Sequence, residues 1–381
     1  MTLTAADIPR KERMNLAQIE KELLFRHCYK GEELENIMIK LNEIENLRNE
    51  KDAVILAHYY QIPPIQLIAD ARGDSLNLAL EATKIKDKKL IVSSTVVFMA
   101  ETTKLLNPDK KVVVPSLEAG CSIAEGINAE TVRVIRNKFP SANLIGYINT
   151  YAATKAELDV VCTSANAVNI VRNSKSNQVV MLPDYFFARN IAKQAKQSGI
   201  DKEILAYKEK KGNSIIVENL SNGLEYTINM EKNLPARDRG TCIVHEQFTS
   251  QEIRDLRKKY GIEIVMAHPE VSEDVANASD MIGGTGKMLS YVKDNPQIKS
   301  YLVITECDLT APLREENPDK EFYTPCKICP YMKRNDLDSL IRSLREEIYE
   351  INIDPIVEER ARKSILKMFE LDRRNSKNER N

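Results

Sequence analysis

AVILAHYYQIPPIQLIADARGDSLNLALEATKIKDKKLIVSST, residues 53–95, holds the pattern on which the fold turns. A short apolar run, VILA, stops at His58; an amphipathic stretch follows over 64–82; a second run, LIV, stops at Ser93. Runs of this length alternating with helical periodicity are the mark of βαβ units and a parallel sheet. The rhythm repeats down the chain. VVV ends before Pro115, LIGYI before Asn149, VVC before Thr163, VVML before Pro183, CIV before His245, IVMA before His268, MI before Gly283 and LVI before Thr305, with further amphipathic stretches at 125–138 and 250–260. The sequence therefore predicts an α/β protein with short parallel sheets.

In such sheets ligands gather beyond the carboxyl ends of the strands, so the residues that close each run are the candidates for chemistry. Three of the four histidines, His58, His245 and His268, stand there. The fourth, His27, lies beside Cys28 in a helix predicted over 15–49 and reads as structural. Residues 201–239 break the rhythm with charge, Asn-Gly and alternating apolar positions, and predict an inserted β-hairpin or a long surface excursion. Toward the end, Asn335 or Asp336 can cap one helix, Asp354-Pro355 opens another, and 372–381 reads as a solvated tail.

A chain of 381 residues can build several compact units, and its 43% apolar and 29% charged composition is that of a soluble globular protein. A net charge of -1 argues against a nucleic-acid footprint, which needs concentrated positive charge, so the expected partner is small. The first residues, MTLTAADIPRKERMNLAQIEKELL, lack the apolar core of a secretory signal, and a cytoplasmic protein is expected. Seven cysteines in that setting read as thiols or metal ligands rather than a disulfide framework.

Cys326 and Cys329 form a C-x-x-C pair, which can be half a zinc site, a redox dithiol or iron–sulfur ligation. NPDKEFYTP before it reads as loop, which disfavours the redox dithiol, and no second nearby Cys/His pair completes a zinc site. A metal site finished by distant residues remains. Cys121 lies in PSLEAGCSIAEG and Cys242 in RGTCIVHE; each is either a buried inert thiol or a ligand, and its loop or strand-end setting favours the second reading. Cys28, Cys162 and Cys307 read as packing residues. The turns Gly73-Asp74-Ser75 and Gly283-Gly284-Thr285-Gly286 can offer N–H groups to an anion, and His268-Pro269-Glu270 supplies a potential acid/base pair.

Taken in order, these segments resemble the quinolinate synthase (quinolinate synthetase A) family from about residue 50 to 345. The matching motifs are AHYYQ at 57–61, IADARGDSLNLA at 68–79, EAGCSIAEG at 118–126, GYINTYAATKAELDVVCTSANA at 146–167, LPD at 182–184, GTCIVHEQF at 240–248, AHPE at 267–270, TE at 305–306, NPDK at 317–320 and CKICPYMK at 326–333. The resemblance implies three similar αβα units in pseudo-threefold arrangement around a central 4Fe-4S cluster. The units would cover 1–124, 125–240 with the excursion, and 241–334, with helices at 335–381 packing back on the first. Cluster ligands would be Cys121, Cys242 and Cys329, with Cys326 a neighbour able to pair reversibly with Cys329.

The implied reaction condenses iminoaspartate, supplied by an aspartate oxidase or dehydrogenase, with dihydroxyacetone phosphate to give quinolinate, phosphate and water in NAD biosynthesis. His58, Tyr60, His268 and Glu270 match the positions that move protons. Ser75, Tyr147, Asn149, Ser164 and Thr285 match those that hold carboxylate and phosphate oxygens, and His58, His268 and Glu270 would also touch substrate. His245 would support the cluster. Where the family usually has Gly-Ser-Thr, this chain has Gly283-Gly284-Thr285; the segment after Glu306 lacks the usual glycine, and the insertion before Cys242 is longer. The rival readings are a 4Fe-4S hydro-lyase for another hydroxy acid and a zinc-stabilised binding protein built on Cys326 and Cys329.

Overall fold

The computed structural model describes residues 13–231 and 236–378, with side chains to 373. Its helices and strands alternate as the apolar runs predict, and the strands gather in three sheets. The first contains β1 (Ala53–His58), β2 (Ala71–Gly73), β3 (Leu90–Ser94) and β4 (Lys111–Val113), all parallel in the order β2-β1-β3-β4. The second contains β5 (Asn143–Tyr147), β6 (Val160–Cys162), β7 (Gln178–Leu182), β8 (Glu203–Lys211), β9 (Ser214–Asn219) and β10 (Glu225–Asn229), in the order β10-β9-β8-β7-β5-β6. The third contains β11 (Ile264–Ala267), β12 (Met281–Ile282), β13 (Ser300–Ile304) and β14 (Glu321–Tyr323), parallel in the order β12-β11-β13-β14. Read from β6, the parallel part of the second sheet has the same second-first-third-fourth order as the other two.

Both faces of these sheets are covered, which is why the strands are near-continuous apolar runs. Side chains alternate across a strand. Ala53, Ile55 and Ala57 pack with helices Leu16–Phe25 and Gly31–Glu50, whereas Val54 and Leu56 pack on the opposite face with Leu78, Phe98 and Met99. In the third sheet Val265 and Ala267 face one cluster, and Met266, Tyr301 and Val303 the other. Helix Leu337–Glu346 returns to the first sheet, burying Leu340, Ile341 and Leu344 beside Ile55; helix Pro355–Asn378 places Ala361, Ile365, Met368 and Leu371 in the core of the second.

Five details differ from the sequence reading. The helix predicted over 15–49 is two helices, because the first closes with Tyr29 N–H bonded to Leu23 O and Cys28 in the left-handed region at φ 61°. The stretch 201–239 forms the expected hairpin pairing, β8 with β9 and β9 with β10, but it is not a separate insertion: β8 continues the parallel sheet beside β7, and β9 and β10 extend that sheet antiparallel, while 232–235 lie outside the described residues. The run CIV at 242–244 is a turn rather than a strand, and EFY within NPDKEFYTP is edge strand β14, where Phe322 is the one buried side chain and the signal is correspondingly short. The tail read from 372 is helical in backbone to Asn378; residues 1–12 and 379–381 lie outside the described residues.

Leu340 is fully buried between the returning helix and the first sheet. Leu340→Ala is expected to cost about 2–5 kcal/mol through lost burial and a cavity. Denaturant unfolding midpoints measure it, and a midpoint unchanged from the parent would show that the returning helix does not support the first unit.

Candidate active site

The last strand of each unit, β4, β10 or β14, precedes a segment that contains a cysteine, and the three cysteine turns have the same construction. Cys121, Cys242 and Cys329 are each followed three residues later by a single 3-10 turn: Ala124–Gly126, His245–Gln247 and Met332–Arg334. Seven residues after each cysteine stands a helix cap. Asn128, Thr249 and Asp336 accept the N–H of Thr131, Glu252 and Ser339 at the head of helices Ala129–Lys138, Ser250–Tyr260 and Leu337–Glu346. Each cysteine carbonyl accepts the N–H four residues on, from Glu125 at 2.9 Å, Glu246 at 3.0 Å and Lys333 at 3.2 Å. The same turns aim N–H groups at the sulfurs: those of Ala124 and Ile123 at Cys121, of His245 at Cys242, and of Met332 and Tyr331 at Cys329.

The three thiols are free, line one cavity and lie near enough to feel one another's charge. Burial pushes all three thiols above their ordinary value. Donors already in place for sulfur anions suit these turns to a soft metal group, whose binding would displace the thiol protons. A second grouping, Cys242, His245 and Glu270, brings its ligand atoms within 4.8 Å of one another. There, however, both ring nitrogens of His245 already face protein partners.

The strand ends supply the rest of the cavity wall. His58 closes β1 with Tyr60 just beyond it, Tyr147 closes β5 with Asn149 beyond, and His268 and Glu270 follow β11; Ser75, Ser164 and Thr285 follow β2, β6 and β12. With His245 and the three cysteines, every residue to which the family resemblance gave a catalytic, substrate or cluster role lines this cavity, whereas Cys326 does not. A polar chain runs through it. Tyr60 OH lies 2.6 Å from Thr305 Oγ1, which lies 2.9 Å from His245 Nε2. His245 Nδ1 lies 2.8 Å from Glu270 Oε2, and Tyr147 OH donates to Glu270 Oε1 at 2.7 Å. His268 stacks on His245 with ring centres 4.8 Å apart, its Nδ1 3.7 Å from Glu270 Oε1. Because a carboxylate only accepts, His245 presents an N–H at Nδ1 to Glu270; in the tautomer with its proton there alone, Nε2 accepts from Thr305 and Thr305 accepts from Tyr60. Thr305 carried no role in the sequence reading, although it follows the run LVI by the same strand-end rule that selected the histidines.

Burial dominates the electrostatics. It lowers His58 to about 3, with His268 and Lys333 adding to the effect, and His268 to about 4, so both are neutral imidazoles. His58 Nδ1 accepts the Tyr60 N–H at 3.1 Å, which places its proton on Nε2. Burial also opposes ionisation of Glu270, but the neighbouring His268 and His245 and the Tyr147 hydroxyl overcome it and hold the carboxyl at about 2. Tyr60 and Tyr147 are pushed well above their ordinary value, first by burial and then by Glu270. The site thus combines one fixed anion, two neutral imidazoles and two intact phenols, a set able to pass protons in either direction.

Behind Cys329 the fully buried Glu306 meets Lys333 Nζ at 2.8 Å, and the same ammonium reaches Asp308 at 2.6 Å and the Tyr60 carbonyl. Glu306 Oε1 also accepts the Cys329 N–H at 3.3 Å, so this ion pair ties the third cysteine loop to the Tyr60 loop. Two readings of the cysteines change. Cys326 is joined to Cys307, not poised against Cys329, and Cys307 is half of a disulfide rather than a packing thiol. The two segments run side by side here, with Cys307 N–H bonded to Lys327 O at 3.1 Å and Cα atoms of the pair 4.5 Å apart. A bonded Cys326 offers no thiolate, so the zinc reading loses one of its ligands.

Fold and site together define an α/β protein with a buried, thiol-lined cavity equipped for acid/base chemistry. Residues 42–370 match the family described as Quinolinate synthetase A protein, and the chain belongs to that family. It is 41% identical over 330 residues to quinolinate synthase 1 of Mesorhizobium japonicum, covering 86% of this chain and 90% of that protein. It is 38% identical over 334 residues to quinolinate synthase of Caulobacter vibrioides, covering 86% and 81%, and 36% identical over 333 residues to that of Alkaliphilus metalliredigens, covering 87% and 98%. Among the described residues no helix is long and apolar enough to cross a membrane.

Burial raises the Glu306 carboxyl to about 7 although Lys333 opposes it. A carboxyl that holds its proton more tightly folded than unfolded loses stability on ionising, so its contribution declines as pH rises from about 4.5 toward 7. Glu306→Gln is expected to remove that decline. Unfolding midpoints of both proteins across this window test it, and parallel pH profiles would contradict it.

Proposed function

We propose that this chain is a cytoplasmic quinolinate synthase that condenses iminoaspartate with dihydroxyacetone phosphate to quinolinate, phosphate and water, with a 4Fe-4S cluster held by Cys121, Cys242 and Cys329. The observation that carries the reading is the threefold recurrence of one cysteine turn, with its sulfur-directed N–H groups and its cap seven residues on, around a single cavity. Three thiolates leave one iron of such a cluster without a protein ligand, and bound there it supplies a Lewis acid for a substrate oxygen.

The chain's own residues do the remainder. As a substrate group hands a proton to the Tyr60 oxygen, the Tyr60 hydroxyl proton passes on through Thr305 Oγ1 to His245 Nε2, so that Tyr60 stays a phenol and the Glu270 carboxylate beside Nδ1 stabilises the imidazolium that results. Neutral His58 and His268 stand across the cavity to donate or accept protons as carbon–carbon bond formation, loss of phosphate and dehydration require. Ser75, Asn149, Ser164 and Thr285 supply hydrogen bonds for carboxylate and phosphate oxygens, and Tyr147 fixes Glu270. The substrate iminoaspartate is supplied by an aspartate oxidase or dehydrogenase.

Two experiments test the reading. Replacing Cys121, Cys242 or Cys329 singly with alanine is expected to abolish bound iron and sulfide after anaerobic reconstitution, whereas Cys326→Ser retains them; a full cluster in any of the first three would remove that cysteine from the ligand set. Glu270→Gln is expected to keep its iron and lose turnover by about 10²–10⁴-fold. Quinolinate formation from the two substrates is the readout, and a cluster-loaded parent that forms none would favour a hydro-lyase acting on another acid.

A further inference from the structure

The second strand of each unit ends beside the cavity, and the residue two places beyond it is Ser75 after β2, Ser164 after β6 and Gly284 after β12. The third unit therefore lacks the hydroxyl that the other two present. Its place is taken: a Cβ at Gly284 would lie 2.1 Å from Ser164 Oγ and 3.1 Å from Ser164 Cβ. Gly284 is also the N-cap of helix Thr285–Asp294 and provides no side-chain cap, so the first-turn N–H groups have no partner within the helix. Thr285, 4% exposed, lines the cavity at the same spot, and neither its hydroxyl nor that of Ser164 has a hydrogen-bond partner among the described residues.

We infer that Gly284 determines how this chain binds the anionic end of its substrate: the missing side chain admits Ser164 Oγ to the N-terminus of the Thr285 helix, where the Ser164 and Thr285 hydroxyls and the free N–H groups form one phosphate subsite. Donors converging from two units suit a tetrahedral group with several acceptor oxygens, and the helix terminus favours its charge. A side chain at 284 drives Ser164 Oγ out of this place. It leaves His268 alone, since the added Cβ would stand 4.0 Å from Nε2, an ordinary contact. The identity of the ligand as a substrate phosphate rests on the function proposed above; the dependence of Ser164 on Gly284 does not.

The test is a double-mutant cycle on the full chain, purified without oxygen and cluster-loaded, with inorganic phosphate binding read by calorimetry. Gly284→Ala and Ser164→Ala are each expected to weaken binding about 5–10-fold, the loss of one hydrogen bond. The double variant is expected to bind no more weakly than either single one, because with Ser164 already truncated a methyl group at position 284 has no hydroxyl left to displace. Thermal melting should agree: Gly284→Ala lowers the midpoint in the parent and does so less when Ser164 is already alanine. Losses that multiply, Gly284→Ala binding like the parent, or a parent that binds a dicarboxylate such as succinate here in preference to phosphate would each overturn the inference. If the cycle behaves as expected but no quinolinate forms, the subsite stands and the proposed reaction falls.

Discussion

Three sulfur atoms from three separate sheets must face one buried cavity, and this requirement organises the rest of the molecule. A loop hung from an edge strand is free to wander, so each cysteine is fixed on both sides. Before it lies the last strand of its sheet, β4, β10 or β14; after it come a 3-10 turn closed on the cysteine carbonyl and a helix whose first turn is capped by Asn128, Thr249 or Asp336. The third of those helices runs back to the first sheet, where Leu340 and Leu344 join the core of β1. The end of the third unit is thus braced by the beginning of the first.

Taking polar groups out of water at the same place is costly unless every one finds a partner. Glu270 illustrates the solution: it remains an anion in a buried site because Tyr147 and His245 stand against its two oxygens. Glu306 is the contrasting case, a buried carboxyl whose single cation, Lys333, is shared with Asp308 and does not fully offset desolvation. The first arrangement prepares a group for proton transfer. The second joins the Cys329 turn of the third unit to the Tyr60 loop of the first.

The sequence was most legible where a physical rule acts over short range. Apolar runs ended by polar residues located most of the buried strands, and the strand-end rule picked out His58 and His268; His245, chosen by the same rule, stands instead on the 3-10 turn after Cys242. Family motifs then selected Cys121, Cys242 and Cys329 from seven cysteines. Signals that depend on distant segments were lost. Phe322 alone marks β14, too little for periodicity to register, and Cys307 meets Cys326 only because β13 and β14 are adjacent and parallel. The recurring cap seven residues after each of the three cysteines was present in the sequence as Asn, Thr and Asp; no repeat of identical letters betrays it, because three different side chains perform the same hydrogen bond.

Metal and acid-labile sulfide analysis of the unaltered protein, purified without oxygen and followed by Mössbauer spectroscopy, tests the three-thiolate centre most directly. The account predicts iron and sulfide in equal amounts, with one iron spectroscopically distinct and altered by adding substrate. A colourless protein holding zinc without sulfide, or a cluster whose irons are all alike and indifferent to substrate, would contradict it.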